Sequence, residues 1–171
     1  MLFNNILGIK KINGKEVKIN YREAVRAVIL RNNNLLMVQT NKGDYKFPGG
    51  GIKNEEKHEE TLQREVKEET GYLISKVKER MGIFTERNLD EFEEDSIFEM
   101  ISYYYLCEVP ENQTIQQLDD YEAELDFSPQ WINIDAAISN NEDIIKNKNN
   151  DMNRWVYRET SVLKELKSIF S

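Results

Sequence analysis

The chain has a single cysteine, Cys107, and a single histidine, His58. One cysteine excludes an intrachain disulfide. The neighbours of Cys107, Tyr103 to Leu106, mark it as a buried strand residue in a reducing compartment. The lone histidine lies far from it in sequence, so no thiol–imidazole pair is indicated, and His58 itself reads as an exposed residue near a helix start. Long hydrophobic runs are also missing. None approaches a membrane span, and the N-terminus MLFNNILGIKKING lacks the apolar core and cleavage site of a signal peptide. A cytoplasmic location with no membrane partner is expected. Positive charge is scarce, with 23 Lys and Arg against 31 Asp and Glu and a formal net charge of −8. That balance argues against nucleic acid as a partner. A phosphorylated small molecule stays admissible, because divalent ions can reverse the local sign.

What is present suffices for one folded domain over residues 1–171, since 39% of the residues are hydrophobic. Residues 6–19 read as a hairpin around Asn13-Gly14. Residues 22–30 and 35–40 are apolar strands joined by a turn at 31–34, and 46–51 (KFPGGG) is an irregular loop. A helix is predicted over 55–70, stopped by Gly71. Strands follow at 75–84, 97–109 and 131–134, then helices at 134–145 and 153–170. The acidic run between the first two of these strands, 85–96, reads as a solvated loop. Strands and helices in this order form an α/β (α+β) layer structure with a mixed sheet. The last helix, with Val162, Leu166 and Ile169 on one face, packs on the sheet or forms a homodimer surface; the sequence leaves both open.

The helix over 55–70 carries the chemistry. Residues three and four apart share a helix face, so Glu65, Glu68 and Glu69 can converge. Like charges that close repel by about 0.2–0.5 kcal/mol per exposed pair, and more when buried. Mg2+ or Mn2+ offsets that repulsion, since both favour carboxylate oxygen and retain water. Gly49, Gly50 and Gly51 permit close backbone approach, and the Gly50 carbonyl is the expected backbone ligand. Arg64, eight residues after Glu56, can pair with it and pin the glycine loop to the helix.

That full pattern resembles the signature box of the Nudix hydrolases, the MutT-like family: Gly50, five residues, Glu56, seven residues, then Arg64-Glu65-Val66-Lys67-Glu68-Glu69-Thr70-Gly71-Tyr72. Tyr72 stands where the family usually has an aliphatic residue. The resemblance implies a three-layer α/β/α sandwich around a central mixed sheet. It also implies Mg-dependent hydrolysis of a pyrophosphate bond in a nucleoside diphosphate linked to another moiety, whether nucleotide, nucleotide-sugar or nucleoside triphosphate. On these residues, Glu65, Glu68 and Glu69 bind the metal with Gly50, and Glu65 or Glu69 orients or deprotonates water. Arg64, Glu56 and Gly49 give structural support. Glu124 is the expected further acid from outside the box, ahead of Glu122 and the run 93–95. Phe47 and Tyr45 are candidates to stack on a base, with Phe84 behind them. Residues 88–90 lack the extra proline or tyrosine of some subgroups, which argues against ADP-ribose and dinucleoside polyphosphates as substrates, and the leaving group stays open. The competing class is a non-catalytic nucleotide-binding module, which has no use for so repulsive an acidic set. Messenger-RNA decapping lacks the basic patch it needs.

Overall fold

Two neighbouring strands splay apart, and the wedge between them holds the glycine loop. The computed structural model describes residues 1–10, 17–147 and 151–170. Strand β2 (Lys18–Arg31) turns through Asn32 and Asn33, both in left-handed conformation, into β3 (Asn34–Gln39). The two pair only at Leu30–Leu35 and Arg31–Asn34. Beyond that point the freed edge of β2 bonds the loop instead: Val25 N–H donates to the Gly50 carbonyl at 3.0 Å and Ala27 N–H to the Pro48 carbonyl at 2.8 Å. Buried backbone donors must find acceptors, and here the loop supplies them.

The other strands are β1 (Phe3–Gly8), β4 (Tyr45–Lys46), β5 (Lys76–Leu89), β6 (Ser96–Glu108) and β7 (Ser128–Asn133). The sheet runs β1-β5-β6-β2-β3-β4, with β7 also on β3. Its β1–β5 and β2–β6 pairs are parallel and its β5–β6, β3–β4 and β3–β7 pairs antiparallel, as a mixed sheet requires. Helix α1 (His58–Thr70) covers one face, where its Leu62 and Val66 meet Val25, Ala27, Ile29 and Leu36. Helices α3 (Ile134–Asn147) and α4 (Val156–Phe170) cover the other, through Ala137, Ile138, Val162, Leu163 and Leu166 on Val28, Leu35 and Met37. Burial of every residue from Ala24 to Ile29 follows from this double cover. The apolar face of α4 is thus part of the core. No helix among the described residues is long and apolar enough to cross a membrane.

Several expectations need correction. The two arms of the expected hairpin at 6–19 do not pair with each other: β1 bonds β5, whereas β2 bonds β6 and β3. The reason lies in β5 and β6, whose long antiparallel ladder fills the space between them; Asn13-Gly14 lies outside the described residues. The expected loop at 85–96 shrinks, because β5 continues through Leu89 in register with β6, from Thr85–Ile101 to Leu89–Ile97. Pairing overrode its polar composition. Helix α1 starts at His58 rather than at position 55, since Glu55 adopts a left-handed φ of 66°. A short helix α2 (Asp120–Glu124), capped by the Asp119 carboxylate on the Glu122 N–H, had no apolar period to betray it.

Gly49 has a φ of 139°, and a Cβ there would overlap the Val25 carbonyl oxygen. Gly43 also has positive φ, at 85°, but a Cβ would meet only Ile144 Cδ1 at 3.9 Å. We therefore expect Gly49→Ala to lose about 2–3 kcal/mol or more in urea denaturation, against about 1 kcal/mol for Gly43→Ala. Equal losses would contradict the wedge.

Candidate active site

Helix α1 delivers its carboxylates to the wedge because both its ends are fixed. At the start, the Glu60 carboxylate accepts the Lys57 N–H at 2.8 Å; at the end, Gly71 turns left-handed with its N–H on the Lys67 carbonyl. Between them, Arg64 grips Glu56 with two bonds of 2.7 Å, and its third nitrogen reaches Glu65 at 2.5 Å and Glu68 at 3.3 Å. This fork ties the turn before the helix to the helix body. It also holds the Glu56 carboxyl down to about 2, chiefly through the Arg64 hydrogen bonds.

Three buried carboxylates meet beyond this fork. Glu65, Glu69 and Glu122 each offer an oxygen, and these oxygens lie within 4.8 Å of one another. Glu69 accepts the Gly49 N–H at 2.9 Å and pairs with the buried Lys46 ammonium. Burial pushes the Glu69 carboxyl up to about 7, against the pull of Lys46. Burial likewise raises Glu122, with Glu65 adding to it. The set suits a hard divalent cation: it is all carboxylate oxygen, mutually repulsive and withdrawn from solvent. Gly50 lies against it so closely that a Cβ would overlap the Glu65 carboxylate. The Gly50 carbonyl uses one lone pair on the Val25 N–H, leaving the other.

Glu68 is not part of this cluster. A step of three residues turns a helix by about −60° and a step of four by about +40°, so Glu68 sits about 100° round from Glu69. It lines instead a hollow of about 550 Å³ on the outer side of α1, with Arg64 and Gln117. Glu124, the expected further acid, is exposed at the end of α2 and outside the cluster; Glu122, two residues earlier, is buried and joins Glu65 and Glu69. Phe47 is wholly buried, edge-on to Tyr104 at 5.5 Å, so it cannot stack on a base. Phe84 is core as well, and Tyr45 packs against that same core outside the site cavity. His58 bonds the Tyr105 hydroxyl at 2.8 Å and is half-buried rather than exposed.

The cluster opens on a cavity of about 430 Å³. It is also lined by Arg22, Arg26, Lys46 and Arg158, by Asp119 and Met100, and by the aromatic Tyr121, Phe127 and Trp155. Arg22, Ala24 and Arg26 alternate along β2 and so share one face. Arg26 donates to the Gly49 carbonyl, while its Nε is buried without a partner. Arg158 is held by Glu86 at 2.6 Å and by Glu159.

The NUDIX domain model matches residues 20–156. The chain belongs to the NUDIX family. An ADP-ribose pyrophosphatase of Methanocaldococcus jannaschii is 35% identical over 88 residues, 48% of this chain and 52% of that one. The chain thus spans about half the length of the curated relative it matches. Among solved structures, a NUDIX hydrolase from Nitrosomonas europaea superposes with a TM-score of 0.56 at 19% identity, over 72% of this chain and 79% of the other. A MutT NUDIX hydrolase from Burkholderia pseudomallei gives 0.52 at 18% identity, over 68% and 85%. At such identities the likeness concerns the fold.

Sequence reasoning missed most of this NUDIX cavity outside the box. The alternation Arg22-x-x-x-Arg26 was a readable signal for two cations on one strand face. Nothing marked Tyr121, Trp155 or Arg158, which come from α2 and from the chain around the start of α4.

The Arg64–Glu56 fork has a pH signature. Since the folded state holds Glu56 at about 2, below its ordinary 4.5, its stabilising effect is complete above pH 4.5 and fades as pH falls toward 2. Glu56→Gln should lower stability at pH 7 by about 1.5–3 kcal/mol and flatten the acid limb of a denaturation–pH curve. An unaltered limb would remove the fork from the stability of the box.

Proposed function

We propose that this NUDIX protein is a magnesium-dependent pyrophosphohydrolase that cleaves a pyrophosphate bond in a nucleoside diphosphate linked to another moiety. The observation that carries the reading is the meeting of Glu65, Glu69 and Glu122 at the foot of a cation-lined cavity. The name of the archaeal relative supports a substrate of the ADP-ribose type. Glu65, Glu69 and Glu122 would hold magnesium, with the Gly50 carbonyl beside them, and manganese suits the same oxygen set. Bound there, the ion makes water a stronger acid and offsets the charge of the pyrophosphate.

The chain's own groups account for the rest. Arg22, Arg26 and Lys46 draw in phosphate oxygens. A carboxylate of the Glu65–Glu69 pair accepts the proton of the attacking water. The new oxygen–phosphorus bond forms as the bridging bond breaks, releasing a nucleoside monophosphate and a phosphorylated product.

Incubation with magnesium and a panel of nucleoside diphosphate derivatives, reading released phosphates, tests this directly. Glu69→Gln and Glu122→Gln should each reduce kcat by about 100-fold or more, while Glu124→Gln stays within a few-fold of the parent. Calorimetry should show magnesium binding that weakens in the first two variants. Absence of both turnover and magnesium binding would sink the reading. Full activity in Glu122→Gln would remove that residue from the site.

A further inference from the structure

The cavity has a chemical asymmetry. Arg22, Arg26 and Lys46 rise from β2 and β4 and Arg158 from α4, whereas Tyr121, Phe127 and Trp155 come from α2, the chain before β7 and the entrance to α4. Phe127 is buried and carries the Lys46 ammonium 4.6 Å above its ring. The other two rings are open to the cavity: Tyr121 is 55% exposed, and Trp155 is half-buried.

Trp155 is held in a way that apolar packing alone does not require. Its indole N–H donates to Asp44 Oδ2 at 2.7 Å. Asp44 is fully buried, and its second oxygen accepts from Thr40 at 2.6 Å and Asn153 at 2.8 Å. A buried carboxylate with three donors fixes the plane of one ring. With its N–H engaged, that ring can offer a ligand only its π-face.

We propose that Trp155 and Tyr121 form the base-recognition wall, with an aromatic base lying against them and the phosphates directed toward Arg22 and the carboxylates. The inference rests on the hydrolase reading above and names the part of the substrate that the signature box cannot read. Arg22 suits the phosphate end, since among the described residues no carboxylate or carbonyl engages its guanidinium. Recognition by stacking tolerates every base, because each has a π-face. Purine and pyrimidine nucleoside diphosphates should therefore bind within about tenfold of one another, and a pyrophosphate lacking a base should bind far more weakly.

The chain has two tryptophans, which makes the test direct. Trp131 lies on the α1 face, bonded to Tyr72 and stacked on Arg31, away from the cavity. In Trp131→Phe protein, ADP should quench the fluorescence of Trp155 at saturation, and inorganic pyrophosphate should not. Tyr121→Ala, at an exposed position where folding is not at issue, should raise KM for a nucleoside diphosphate substrate by roughly 10- to 100-fold and shift kcat little. Quenching by ADP without turnover of any substrate would uphold the wall and overturn the hydrolase reading. Turnover with KM unchanged in Tyr121→Ala, or equal quenching by pyrophosphate, would overturn the wall and leave the hydrolase reading standing.

Discussion

The site depends on how the glycine loop is gripped from both layers of the sandwich. Two successive free N–H groups of that loop end on buried glutamates. Phe47 N–H donates to Glu159 of α4, and Gly49 N–H donates to Glu69 of α1, each at 2.9 Å. Charge-assisted bonds of this kind are about twice as strong as neutral ones, and a buried carboxylate left without its donors is unfavourable by several kcal/mol. Neither helix can move without disturbing the loop. The splay of β2 from β3 completes the grip, because the loop supplies the acceptors that β2 lost. One constraint therefore sets the positions of the carboxylates, the glycines and the floor of the cavity.

The second buried ionic group follows from the first. Glu159 is shared between the Phe47 N–H and the Arg158 guanidinium, and Arg158 extends to Glu86 on β5. Burial, and after it the neighbouring Arg158, lowers the affinity of the Arg26 guanidinium for a proton. On β6, the Ser102 and Tyr104 hydroxyls are buried without partners, as is Arg26 Nε, and register sets Ala24 beside Ser102 and Arg26 beside Tyr104. Unmade bonds of this sort cost about 1–3 kcal/mol each. Unpartnered buried polar atoms thus concentrate on the α4 face beneath the cavity, while polar groups on the α1 face, such as His58 with Tyr105 and Trp131 with Tyr72, are bonded. A fold optimised for stability alone would not divide them so; the division is intelligible if the α4 face is where a charged ligand arrives. The net charge of −8 hides this, because it does not show that Arg22, Arg26, Lys46 and Arg158 line one cavity.

Legibility in the sequence followed the range of the interactions. The box was readable because its logic is local: helix period, a terminating glycine, and an arginine eight residues from its partner. The layer class and the double burial of β2 followed from apolar runs. Two failures were of long range, and a third lay in a helix too short to read. The pairing of β1 with β5 depends on which edge is free once β5 and β6 have formed their ladder. Strand β5 outlasted its apolar stretch because its partner continued. Glu122 was ranked behind Glu124 because a five-residue helix gives no period from which to choose its inner face; the cap at Asp119 decided it. Phe47 misled for a related reason, since an aromatic beside a glycine loop reads as a binding residue until the opposite layer is placed over it.

The same residue type serves opposite ends within this one box. Glu56 and Glu69 lie on the same short stretch, yet one is held down to about 2 and the other pushed up to about 7. Sequence spacing accounts for the first, because Arg64 meets Glu56 in a two-bonded fork at the partly solvated end of the helix. Only tertiary burial accounts for the second, because Glu69 is closed in by the loop and its one cation, Lys46, does not offset the loss of water. A paired glutamate is inert and structural. A buried one beside two others is unfavourable on its own and gains most from any positive charge that enters. Their separation, one before α1 and one near its end, is therefore a division of labour: the Arg64 fork binds the box to itself, and the Glu69 end stays electrostatically unsatisfied beside the cavity.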